Sequence, residues 1–334
     1  ELHAHLSGSI SLDTLKDLVL LKKKRSPDYV SMVSFDAENL DIESVFSLFT
    51  LIQEVTDCTD AVTKATVDVV HEFSADNVLY LELRTTPRAV PETGMTKLDY
   101  LQAVAAGIQQ CAGLPITVTL LVSIDRRRHD CESALEHVNL ALEARDKYQL
   151  PIVGIDLSGD PRQKSASDFL PAFQLAREHG LGISTHLAEI PESVGELSNF
   201  LTCFQPDRIG HGTFLHPDFA GESLCQQSFD LVRSRNIPLE ICLSSNVKSG
   251  TVKSYSDHHI AAWFALSHPL VLCTDDKGVF STSLSEEYFL AAHHLHLDSN
   301  RLFLLSVDSI QHCFVNDEKK KLLRSKFMKF TKSS

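Results

Sequence analysis

Along this chain, short runs of consecutive apolar, often β-branched residues alternate with longer stretches whose apolar residues recur every three or four positions. The short runs predict strands at about Leu2–Leu6, Val78–Arg84, Ile116–Ile124, Ile152–Leu157, Gly182–Leu187, Arg208–Gly210, Leu239–Leu243 and Leu270–Thr274. Most are continuously apolar, as expected of parallel strands buried on both faces. The intervening segments carry helix punctuation. Ser165 to His179 opens with a Ser-x-x-Asp cap, places Phe169, Phe173 and Ala176 on one face, and stops at Gly180. Glu132 to Tyr148 aligns Leu135, Val138 and Leu142 and ends before Pro151, while Asp257 to Ser267 carries Ile260, Trp263 and Phe264 and ends before Pro269. Eight strand candidates alternating with helices predict an α/β fold, a parallel (β/α)8 barrel. The alternative is a doubly wound open sheet, but no G-x-G-x-x-G follows the first strand.

One connection breaks the rhythm. About seventy residues separate the first strand from the second, too many for a simple crossover. Within them Ile42 to Val55 reads as a helix with Phe46, Phe49 and Ile52 on one face. The segment at about 12–75 is therefore expected to be a helical insertion, either a lid over the barrel mouth or extra packing at its rim. No repeat, low-complexity stretch or linker marks a second domain, so residues 1–334 are read as one domain.

Composition narrows the partners. A formal net charge of −13 repels a phosphate backbone and disfavours polymeric nucleic acid. No apolar stretch approaches the length of a membrane span, so no membrane partner is expected. The 8 cysteines form no C-x-x-C pair, which suggests a reducing cytosol. The run Lys22-Lys23-Lys24-Arg25 reads as a solvated face before it reads as a localisation signal.

The candidate chemistry sits at the ends of the predicted strands. His3 and His5 lie two apart on the first strand and so face the same way, with Ala4 opposite. His186 ends the fifth strand, with Glu189 three residues on, and His211 ends the sixth before Gly212. Asp275 ends the eighth, and Asp276 alternates to another direction. An ionisable group buried without a partner or a metal costs several kcal/mol in order of magnitude. A plain core has little use for so many of them, whereas three histidines and a carboxylate are what a zinc-type catalytic centre requires. Other motifs fail. His71-Glu72 would open H-E-x-x-H, but the fifth position is Ala75. There is no P-C-x-x-C, no G-x-S-x-G and no P-loop. His258-His259 and the His293, His294, His296 group are read as solvated helix faces.

The ordered set HAH, DLSGD, HLAE, GHG and TDD spans nearly the whole chain and resembles the adenosine/AMP deaminase branch of the amidohydrolase superfamily. The stretches LELRTTPR, GMTKLDY, SIDRRR, GIDLSGDP, DRIGHGTFL, LEICLSSNVKS and LCTDDKGVF are similar to the group within that branch that acts on N6-methyl-AMP. The resemblance implies that His3, His5, His186 and Asp275 bind one Zn²⁺. It implies that Glu189 shuttles a proton to ring N1 and that His211 orients the attacking water and stabilises charge. Asp276 would hydrogen-bond purine N7, and the Gly159 backbone would meet N3. Asp125 and the turn Thr86-Pro87-Arg88 match substrate-contacting positions. Two positions depart from the family pattern: Ser7 stands where Asn is usual, and Gln53 where a histidine is usual. Both are expected to touch sugar or phosphate.

The implied reaction is hydrolysis of N6-methyl-AMP to IMP and methylamine. Adenosine deamination is the alternative, and a catalytically dead binding barrel a distant one. The expected partner is a small purine nucleotide or nucleoside, and the expected state a monomer. The chemistry is coherent, because a purine C6 accepts hydroxide only as N1 takes up a proton, and a carboxyl group such as Glu189 can supply it.

Overall fold

In the computed structural model, which describes residues 1–30, 42–220 and 222–333, all eight predicted strands are present and pair in sequence order as one parallel sheet. They are β1 (Ala4–His5), β2 (Tyr80–Thr85), β3 (Thr117–Asp125) and β4 (Ile152–Ser158), then β5 (Gly182–Leu187), β6 (Arg208–His211), β7 (Leu239–Ile241) and β8 (Leu270–Leu272). Asp275, just past β8, closes the ring onto β1. Its N–H donates to His3 O at 2.8 Å, and its carbonyl accepts from His5 N–H at 2.9 Å. This is the (β/α)8 barrel. Among the described residues no helix is long and apolar enough to cross a membrane, and all eight cysteines are free thiols.

The helices pack on the outer faces of the strands. Asp130 and Ser133 form a capping box that starts the Cys131–Asp146 helix, and Val138 and Leu142 are buried beneath it. The Ser165–Asp168 box opens a short 3₁₀ turn that continues as the Leu170–Glu178 helix, burying Phe169, Phe173 and Ala176 as the spacing predicts. One apolar core runs from Ala4 to Ala291.

Several expectations need correction, among them the end of β8, which stops at Leu272, short of Thr274. β1 is shorter than expected, because Leu6 already opens a helical turn, Leu6–Ser9. β7 stops at Ile241 because the chain turns at Cys242 into the helix Leu243–Lys248. The Asp257–Ser267 segment is not one helix. A 3₁₀ turn, Tyr255–Asp257, and a helix, Ile260–Ala265, are separated by His258 in extended conformation. His258 and His259 are buried there, so they are not a solvated face, whereas His293 and His296 are exposed.

Between β1 and β2 the chain forms helices Leu12–Arg25, Ile42–Val55 and Thr59–Ala75. The side chain of Phe46 lies outside the described residues, Ile52 is buried and Phe49 is half-buried. Lys22 and Arg25 both pair with Asp57, so half of the basic run is tied down.

The barrel interior is charged, unlike the apolar filling the strand pattern suggests. Glu82 and Arg84 on β2 lie two apart and face inward, where Asp156, Arg208 and Glu240 meet them, all fully buried. Arg84 donates to Asp156 at 2.7 Å and pairs with Glu240, and Arg208 pairs with Glu82 at 2.6 Å and with Glu240. Each charge has opposite partners, without which a buried ion costs several kcal/mol in order of magnitude. This lattice forms the floor beneath the strand ends.

Candidate active site and metal centre

The expected site residues come together at the carboxyl ends of the strands, the active end of such barrels. Three of the turns that carry them are left-handed: Ala188 at φ 50°, His211 at φ 61° and Asp275 at φ 59°. Non-glycine residues seldom adopt this conformation unless the surroundings impose it. It lets a strand end abruptly and aim the next side chain across the barrel mouth.

His3, His5, His186 and Asp275 converge. His3 Nε2 lies 3.3 Å and His5 Nε2 3.4 Å from Asp275 Oδ1, and His5 Nε2 lies 3.3 Å from His186 Nε2. Ligands around a zinc-sized ion at about 2.0–2.1 Å in tetrahedral geometry stand about 3.3 Å apart, and these three separations match that spacing; His3, His186, His211 and Asp275 also offer ligand atoms that all lie within 4.8 Å of one another. His3 is fully buried, with Nε2 turned to the Asp275 carboxylate and away from solvent. The remaining nitrogens are held from behind. His3 Nδ1 lies 2.8 Å from Glu240 Oε2, and His186 Nδ1 lies 2.8 Å from Leu157 O and 3.2 Å from Asp156 Oδ1. Such partners fix ring orientation and tautomer. His211 also approaches, but its Nε2 faces the other carboxylate oxygen, Asp275 Oδ2, at 3.8 Å. Ser245 donates to that same oxygen at 2.7 Å. His211 thus faces Oδ2, whereas His3 and His5 face Oδ1.

Burial pushes the imidazoles of His5 and His211 down, to about 3 and about 4, so both are neutral. For His3, burial and Arg84 act downward, but hydrogen bonding to Asp275 and Glu240 outweighs them and raises it to about 9. Burial, and then the charge of Asp275, push the Asp276 carboxyl well above the usual carboxylate range. Its Oδ1 is buried without a partner, and a Cβ at position 8 would fall 1.6 Å from that atom, so Gly8 makes its room. Glu189 stands at the edge, 30% exposed, with Oε1 3.9 Å from His211 Nε2.

Above this centre opens a cleft of about 440 Å³, the size of a small-molecule site. His5, Ser7, Gln53, Thr86, Arg88, Asp125, Gly159, Glu189 and Asp276 all line it, whereas Pro87 does not and places its carbonyl near His137. Gly159 is left-handed at φ 87°, and a Cβ there would meet Asp125 Oδ1 at 2.2 Å. Phe49, Ile52, Gln53 and Thr56 bring the end of the Ile42–Val55 helix to the cleft wall. Arg88 donates to Gln53 O and Thr56 O, both at 2.7 Å, and pairs with no carboxylate among the described residues.

Several lining residues were not singled out in the sequence. Arg127 grips Asp125 at 2.9 Å, Arg128 reaches Gln53 Oε1 at 3.0 Å, and Arg162 pairs with Asp160 at 2.9 Å. The signal for the first two is the run SIDRRR, which ends β3 and continues past it. Ser245 and Asn246 lie on the short helix after β7, inside the stretch LSSNVKS.

A parallel barrel with a buried His/Asp cluster beneath an open cleft defines a metal-dependent barrel hydrolase. More particularly, the chain belongs to the adenosine deaminase family, whose model it matches over residues 1–330, and it is a hydrolytic deaminase. It is 42% identical over 325 residues to the N6-methyl-AMP deaminase of Danio rerio, covering 97% of this chain and 92% of that one. The apo N6-methyl-AMP deaminase of Arabidopsis thaliana superposes with a TM-score of 0.87 at 39% identity, covering 100% of this chain and 97% of that one. An Arabidopsis relative complexed with IMP superposes with a TM-score of 0.85 at 39% identity, covering 98% and 95%.

Proposed function

We propose that this protein is a zinc-dependent N6-methyl-AMP deaminase that converts N6-methyl-AMP and water to IMP and methylamine. The family supplies the reaction class, and the named relatives support the substrate. The observation that carries the choice of nucleotide over nucleoside is the charge of the outer cleft. Arg88, Arg127, Arg128 and Arg162 line it; Asp125 takes Arg127 and Arg128, and Asp160 takes Arg162, which leaves Arg88 with no carboxylate partner among the described residues, in a chain of net charge −13. That uncompensated guanidinium suits a 5′-phosphate.

His3, His5, His186 and Asp275 would hold one zinc ion per chain. When bound, the ion supplies a nucleophile by lowering the pKa of water from 15.7 to about 7. Glu189, open to the cleft and outside the ligand set, is placed to exchange a proton with ring N1. A bond from Asp276 to N7, which is an acceptor, requires its carboxyl in the protonated form. The Gly159 backbone is assigned to N3. Ser7, Gln53, Thr86, Pro87, Arg88 and Asp125 are assigned to the ribose phosphate end, Pro87 by shaping the turn.

Arg88→Ala is the test of the phosphate end. Charge-assisted hydrogen bonds contribute about 1.5–3 kcal/mol each, so kcat/KM for N6-methyl-AMP is expected to fall roughly 10–100-fold. The corresponding nucleoside should change much less. Equal losses on both substrates would mean that Arg88 serves only to hold the helix end at Gln53 and Thr56.

A further inference from the structure

The pair His258-His259, the buried Asn246 and the ring of His211 form a connected unit behind the catalytic centre. Its hydrogen-bond directions can be worked out one atom at a time. The backbone N–H of Ile260 donates to His258 Nδ1 at 3.1 Å. A backbone amide can only donate, so Nδ1 is bare and the proton of neutral His258 sits on Nε2. His258 Nε2 lies 3.2 Å from Asn246 Oδ1, which is then an acceptor. That orientation turns Asn246 Nδ2 toward His211 Nδ1, at 3.2 Å.

A second route gives the same amide orientation. The Thr251 hydroxyl donates to Asn246 O at 3.0 Å, leaving its oxygen free to accept from Asn246 Nδ2 at 3.3 Å. Both amide hydrogens are thus placed, one on Thr251 and one on His211 Nδ1. His211 Nδ1 is therefore an acceptor. The backbone of His211 is held as well, since His259 Nε2 lies 3.0 Å from its carbonyl oxygen and the residue is kept left-handed at φ 61°.

We propose that Asn246, itself oriented by His258, is a positioning residue that fixes His211 as the Nε2–H tautomer, so that His211 meets the reacting atoms as a hydrogen-bond donor and not as a base. The Nε2 atom is the one that faces Asp275 Oδ2 at 3.8 Å and Glu189 Oε1 at 3.9 Å. With a proton already there, neutral His211 cannot accept one from water, and proton uptake falls to Glu189. The role rests on the deaminase reading above, but the tautomer does not depend on which purine is the substrate. A polar donor aimed at developing charge is typically worth about 10²–10³-fold in kcat.

The test uses the metal-loaded protein with ¹⁵N-labelled histidine, His211 being assigned by its absence from the spectrum of His211→Gln. The wild-type spectrum is expected to show His211 protonated at Nε2 and bare at Nδ1. Asn246→Asp places an acceptor where the amide donated, so it should move a proton onto Nδ1. It should also lower kcat by about 10²-fold or more, with KM within about threefold and metal content unchanged. His258→Phe releases the amide to rotate and should give a mixture of His211 tautomers with a smaller loss in kcat. A wild-type His211 protonated at Nδ1 overturns the proposal even if neither variant folds. So does an Asn246→Asp protein with unchanged tautomer and turnover. A failure of N6-methyl-AMP as substrate would leave the wild-type spectrum unaffected, which keeps this inference separable from the deaminase reading.

Discussion

His186→Ala is expected to remove metal and activity together: about one zinc per chain in the wild-type protein and nearly none in the variant, with kcat/KM down about 10³-fold or more. The imidazole stands at the centre of the site. Its Nε2 lies 3.3 Å from that of His5, and its Nδ1 is anchored to Leu157 O on the neighbouring strand. Alanine removes one of four converging ligands and leaves a void that no nearby side chain can fill from a rigid strand. Metal analysis on the purified variant, with thermal unfolding to show that the barrel persists, checks the expectation. A variant that retains zinc would mean that His211, whose Nε2 stands 3.8 Å from Asp275 Oδ2, belongs to the ligand set in place of His186.

Glu189→Gln should separate the chemistry from the metal. Glu189 follows the left-handed turn at Ala188, opens to the cleft, and makes no approach to the four converging ligand atoms. The amide keeps size and hydrogen bonding but cannot exchange a proton. A general acid–base group typically contributes about 10²–10⁴-fold, so kcat is expected to fall by that much with zinc content and unfolding temperature unchanged. Wild-type turnover in this variant would remove Glu189 from the proton pathway. Loss of zinc would show that the carboxylate supports the metal centre instead.

What could be read in the sequence and what could not follow from range. The eight strands were legible because parallel strands buried on both faces leave uninterrupted apolar runs. His3, His5, His186, His211 and Asp275 were legible because ionisable groups at strand ends are conspicuous against such runs. The ends of β7 and β8 were not, since Leu243 and Thr274 are as apolar or β-branched as the strands they follow: β7 gives way to the helix Leu243–Lys248, and past β8 the Thr274 N–H donates to the Glu1 carboxylate. The charged lattice of Glu82, Arg84, Arg208 and Glu240 was hidden for the opposite reason. Each residue looks exposed in isolation and becomes tolerable inside only when its partners arrive from other strands. His258 and His259 misled for the same reason, because nothing local says that Asn246 and the carbonyl of His211 await them. The cationic rim shows both sides. SIDRRR is plain in the sequence, but only the fold brings Arg128 to Gln53, 75 residues away.

The measurement that bears most directly on the whole account is kcat/KM of the zinc-loaded protein for N6-methyl-AMP, AMP, N6-methyladenosine and adenosine, followed by loss of aminopurine absorbance with methylamine identified as the released amine. The highest value is expected for N6-methyl-AMP, with a large drop for the nucleosides that lack the phosphate and no turnover after the metal is removed. A preference for adenosine, or full activity in a metal-free sample, would contradict it.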